Sequence, residues 1–83
     1  MIRRNQAVWA AMEELAARRK VSLSRLAIRS GQDSTAFNKS KRIGKNGAPR
    51  WPSTETIAKV LETEGVSFSE FGQIVDEILE RSP

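Results

Sequence analysis

The 83-residue chain has no cysteine, no histidine and no tyrosine, and each absence removes a class of chemistry. Without cysteine there are no disulfides and no thiolate nucleophiles, and without histidine as well no usual zinc or haem ligand set can be assembled. No metal and no cofactor are therefore expected. No apolar run approaches the ~18 residues that a membrane-spanning helix needs, and internal repeats and low-complexity tracts are missing. The opening Met1-Ile2-Arg3-Arg4 resembles the start of an export signal, but Glu13 and Glu14 interrupt the following stretch, Ala7 to Ala17. A cytoplasmic protein is expected. A chain of this length makes one domain, residues 1–83, burying about 60–65% of its unfolded surface, so packing alone must hold it together.

What the chain does have is an uneven charge. Its net charge is +4, yet residues 1–50 hold 12 Lys/Arg against 3 Asp/Glu, while residues 51–83 hold 2 against 7. A basic half opposite an acidic half suits a surface that displaces counterions from a polyanion.

Inside the basic half, residues 22–42 read Ser-Leu-Ser-Arg-Leu-Ala-Ile-Arg-Ser-Gly-Gln-Asp-Ser-Thr-Ala-Phe-Asn-Lys-Ser-Lys-Arg. The pattern predicts two short helices about a glycine turn. Two helices that cross steeply need a tiny residue at the contact and a turn residue that tolerates positive φ; Ala27 and Gly31 meet those demands. Leu26 and Phe37 supply the apolar contact beneath the crossing. Ser22 caps the first of these helices and Asp33 the second, the Asp33 oxygen accepting from first-turn amides. Left outside are Ser34, Thr35, Asn38, Lys39 and Arg42, the candidate base and phosphate readers, with Lys41, Lys45 and Arg50 as further phosphate contacts. Asn38 is the candidate for bidentate adenine reading, and Lys39 and Arg42 could each meet guanine or phosphate.

This segment resembles the helix-turn-helix of the phage-repressor (Cro/lambda-repressor-like) family. Asp33-Ser34-Thr35-Ala36-Phe37-Asn38-Lys39-Ser40-Lys41-Arg42, a basic Gly/Pro loop and Arg50-Trp51-Pro52-Ser53 together are similar to the N-terminal domain of bacterial repressors that carry a LexA-type self-cleaving C-terminal domain. The chain departs from that family at Leu23, where many relatives place Gln on a phosphate, and at Ser40, where an apolar residue usually packs. The resemblance implies an all-α, compact five-helix bundle with helices two and three as the DNA-reading pair. It further implies a sequence-specific duplex-DNA regulator, a repressor, associated with the bacterial nucleoid. The ending Arg81-Ser82-Pro83 also permits a DNA-binding fragment of a longer self-cleaving protein.

The flanks complete the bundle. A first helix from about Asn5, as N-cap, to Lys20 has Val8, Met12, Leu15 and Ala16 inward, with Trp9 half-buried at the stripe's edge. Its Arg18-Arg19-Lys20 end suits either the helix dipole or phosphate. Residues 41–52 form a basic loop in which Asn46-Gly47 marks a tight turn and leaves room for a small β-hairpin wing; Trp51 is expected to anchor this loop onto the core. Ser53 caps a fourth helix, with Ile57, Val60 and Leu61 inward, that stops at Gly65. The fifth helix, residues 67–80, opens with the capping box Ser67-Phe68-Ser69-Glu70 and a Val66/Phe71 staple. Phe68, Phe71, Ile74, Val75, Ile78 and Leu79 cover an arc of roughly 140°, wider than one small core requires. A homodimer is expected, at least on DNA, with Val75 and Leu79 at the contact.

The acidic residues Glu13/Glu14, Glu62/Glu64 and Asp76/Glu77/Glu80 read as solvated helix faces without a polarising neighbour, so no enzyme is expected. No small-molecule ligand and no membrane partner are evident. A helix-turn-helix used for protein contact, as in some antitoxins, should expose an apolar third helix, and an RNA-binding module should expose stacking aromatics there. This segment offers neither.

Overall fold

The computed structural model describes residues 2–81, which form α1 (Arg4–Arg18), α2 (Leu23–Arg29), a 3-10 turn (Lys39–Arg42), α3 (Thr54–Glu64) and α4 (Phe68–Arg81). Met1, Ser82 and Pro83 lie outside the described residues, and with them the chain end on which the fragment alternative rests. The all-α class holds, but with four α-helices among the described residues rather than five. The expected third helix is the one that does not form.

Each helix end follows from local chemistry. Ser22 Oγ accepts from the Arg25 amide and Ser53 Oγ from the Thr56 amide, both at 3.1 Å. At the start of α4 the Glu70 amide donates to Ser67 Oγ at 3.0 Å, with the reciprocal contact to Glu70 Oε1 longer at 3.4 Å. The start of α1 differs from expectation: the Arg3 amide donates to Gln6 Oε1, so the cap falls at Arg3 and Asn5 is buried inside the helix. Three helices stop in the same way. A residue at positive φ (Lys20 at 58°, Gly31 at 79°, Gly65 at 68°) lets the next amide reach back to the last turn: Val21 to Ala16, Gln32 to Ala27 and Val66 to Leu61. Glycine takes this conformation without steric cost, whereas Lys20 does not.

α1 is the central strut, packed on both α2 and α4, while α3 packs on α2 and α4. Ala7, Ala11, Met12, Leu15 and Ala16 are buried on it, with the alanines allowing close approach. Trp9 is also fully in the core, not half-buried as its position at the stripe's edge suggested. Phe37, Leu26 and Ala27 are buried as expected. On α4 the core takes Phe71, Ile74 and Ile78, Val75 and Leu79 pack against it half-buried, and the excess apolar surface falls at Phe68.

One ion cluster ties three helices together. Glu64, at the end of α3, is buried; its Oε1 lies 2.9 Å from Arg29 Nη2 and 3.4 Å from Arg19 Nε, and its carbonyl accepts from Arg19 Nη2 at 2.7 Å. The expectation of a solvated acid fails here because Glu64 stands four residues after Val60, on the buried stripe of α3. Glu13 and Glu14 are likewise engaged, by Arg42 and by Arg18 and Arg81 respectively.

Candidate nucleic-acid interface

Residues 33–42 pass from one turn to another instead of forming a helix. Asp33 Oδ1 accepts from the Thr35 amide at 2.9 Å and from its hydroxyl at 2.8 Å, as an N-cap would. These two bonds, helped by nearby Lys41, hold the Asp33 carboxyl below its ordinary range. The backbone bonds that follow are all of the short type: Ala36 to Asp33, Asn38 to Thr35, and Lys41 to Asn38. Two causes are visible. Ser34, Thr35, Asn38 and Ser40 are poor helix formers that compete for backbone groups. Arg42 Nη2 also donates to the Phe37 carbonyl at 3.2 Å, the acceptor an α-helix would have given to the Lys41 amide. Asn38, extended at φ −62° and ψ 150°, separates the two turns.

The expected readers consequently do not share one helical face. Ser34, Thr35, Asn38, Lys39 and Lys41 are exposed, with the Thr35 hydroxyl bound to Asp33. Arg42 points inward. Its Nη1 lies 3.2 Å from Glu13 Oε2, its Cζ stands 5.1 Å over the Trp9 ring, and only 17% of its side chain is exposed. It braces the segment against α1 and is not a free reader.

The loop after Arg42 doubles back as a small hairpin. Ile43 and Pro49 form an antiparallel bridge, the Gly44 amide donates to the Ala48 carbonyl at 2.8 Å, and the Arg50 amide donates to the Arg42 carbonyl at 2.9 Å. The turn closes at Gly47 with φ 74°. Lys45 sits in that turn, exposed, and Arg50 is exposed at the hairpin's return. The anchor is Trp9, whose Nε1 donates to the Arg50 carbonyl at 2.9 Å and whose ring meets Phe37 at 6.4 Å. Trp51 was expected in that role and instead lies 59% exposed, while its neighbour Pro52 is buried.

Two open clefts flank the Trp9 anchor. One, of about 270 Å³, is lined by Asn5, Gln6 and Ile43 with Lys39 and Arg42; the other, of about 300 Å³, includes Gln32, Lys41, Arg50 and Trp51. Among the described residues, ion pairs occupy Arg18, Arg19, Arg29, Arg42, Lys59 and Arg81. Arg3, Arg4, Lys20, Arg25, Lys39, Lys41, Lys45 and Arg50 stand in none, and every one lies in the first 50 residues. Sequence reasoning missed the Trp9–Arg42 brace. A signal existed, since the alanines at 7, 10, 11, 16 and 17 give α1 several packable faces.

No protein-family model matches the chain, and neither a curated protein nor a solved structure resembles it closely enough to register as a match.

Proposed function

We infer that the chain binds duplex DNA with sequence preference and acts as a transcriptional regulator, a repressor that works by occupying its site rather than as an enzyme. The observation that carries this reading is the sorting of its cations. Both cations of residues 51–83, Lys59 and Arg81, are paired with carboxylates, whereas every one unpaired among the described residues lies in residues 1–50, and Lys39, Lys41, Lys45 and Arg50 among them stand on the exposed polar segment and the hairpin. Such a surface suits phosphate contacts that fix register, with Ser34, Asn38 and Lys39 presented to base edges. Two copies on a two-fold site, meeting through the half-exposed Val75 and Leu79, would double that footprint.

Salt titration of binding to duplexes selected from a random pool tests the reading. Engagement of about six phosphates gives a slope of log K against log salt near −5. A slope shallower than about −2, or a selection that enriches no sequence, overturns it. If Leu79→Glu leaves full-site affinity unchanged, the dimer contact lies elsewhere.

A further inference from the structure

Trp51 is the most exposed aromatic ring whose surroundings are basic. Its backbone is pinned on both sides, by the Arg50 carbonyl bonded to Trp9 Nε1 at 2.9 Å and by the buried Pro52. The residue nevertheless stays 59% exposed. A side chain able to bury some 150–250 Å² is thus held out in water by a fixed backbone. It forms one wall of the cleft of about 300 Å³ that also presents Lys41, Arg50 and the Gln32 amide, with no carboxylate in the lining. Neither Lys41 nor Arg50 has an ion-pair partner among the described residues.

We propose that this cleft seats one nucleotide of the DNA backbone, its phosphate against Lys41 and Arg50 and its deoxyribose against the Trp51 ring. The proposal rests on the DNA-binding reading and adds to it a contact that is apolar rather than ionic. An occupant here must combine negative charge with a flat or apolar face, since two cations and an indole line the same opening. A backbone nucleotide offers both in adjacent atoms. An acidic peptide offers the charge without the face.

The test uses a mixed-sequence duplex of about two helical turns and the full chain. Trp9 is buried, so acrylamide quenching of the free protein reports chiefly on Trp51. Duplex should shield that fluorescence, and a glutamate-rich peptide should not. Trp51→Ala should weaken duplex binding about 5- to 10-fold while leaving the salt slope unchanged, and Trp51→Phe should restore most of the loss. Arg50→Gln and Lys41→Gln should each flatten the slope by about 0.9. If wild type binds duplex but quenching and Trp51→Ala affinity are unchanged, the seat is wrong and the DNA reading stands. Failure of wild type to bind any duplex removes both. Equal shielding by the peptide assigns the cleft to an acidic segment, and a lowered melting temperature for Trp51→Ala makes Trp51 a packing residue; either outcome overturns the proposal.

Discussion

The Glu64 cluster makes an asymmetric prediction about stability. In Glu64→Gln the bond from Arg19 Nη2 to the residue 64 carbonyl, 2.7 Å in the native chain, can persist. What is lost is the charge facing Arg29 and Arg19, whose side chains are 40% and 39% exposed and can rehydrate. The cost should be about 1–2 kcal/mol, below the 3–5 kcal/mol typical when removal of a partner strands a buried charge. The reverse change, Arg19→Met with Arg29→Met, strands a carboxylate that is only 1% exposed, so the full ~3–5 kcal/mol applies. A domain of this size holds about 4–12 kcal/mol in all, so the double variant stands near the edge of folding. Adding Glu64→Gln to it should restore about 2 kcal/mol, a strongly non-additive result. Thermal and urea melts followed by far-UV circular dichroism measure each step, with ~1 kcal/mol appearing as a shift of about 4–8 °C. The reasoning fails if Glu64→Gln costs as much as the double arginine change, or if the triple variant recovers nothing.

Three further outcomes are expected. Phe37→Ala should destabilise by about 3–5 kcal/mol, because the ring is buried against Trp9, whereas Asn38→Ala should leave melting unchanged and cost ~1–3 kcal/mol of binding at one base position; exchange of the two phenotypes would mean that the placement of this segment is wrong. Lys20→Gly should stabilise by about 1 kcal/mol and raise Tm, since φ is 58° there and a side chain at that angle is strained; an unchanged or lower Tm counts against it. Because the Asp33 carboxyl titrates below its ordinary range, its contribution is complete above the unfolded pKa and is lost as pH falls through the lower folded value. The Thr35 amide resonance should therefore move only in that acid range, and movement at the ordinary carboxylate pH would contradict the hydrogen bonds.

The elements that local rules govern were legible in the sequence. Ser22, Ser53 and Ser67 cap helices, Gly31 and Gly65 end them, and Asn46-Gly47 turns the hairpin, each by chemistry confined to a few neighbouring residues. What could not be read depends on partners distant along the chain. Arg42 looks like a surface cation until Glu13 and Trp9, about thirty residues earlier, are folded beside it. Trp9 takes the anchoring role expected of Trp51, its Nε1 donating to the Arg50 carbonyl 41 residues further along the chain. Glu64 was partly legible, since its spacing from Val60 places it on a buried face, but its arginine partners just past the end of α1 and on α2 were not.

The irregular course of residues 33–42 follows from the same division. A regular helix would point Arg42 outward with Asn38 and Lys39 and would give the Phe37 carbonyl to the backbone. Turning Arg42 inward gives that carbonyl to a guanidinium, places the guanidinium over Trp9 and pairs it with Glu13. An arginine so placed gains a cation–π contact worth about 0.5–2 kcal/mol and a charge-assisted hydrogen bond, against the loss of one backbone bond in a stretch of weak helix formers. Packing beneath the segment therefore prevails over helical continuity above it. The exposed Ser34, Asn38 and Lys39 stand on turns held by two side chains, the Asp33 carboxylate accepting from the Thr35 amide at the surface and Arg42 donating to the Phe37 carbonyl from beneath. Side-chain bonds and short backbone turns hold them in place, not an α-helical ladder.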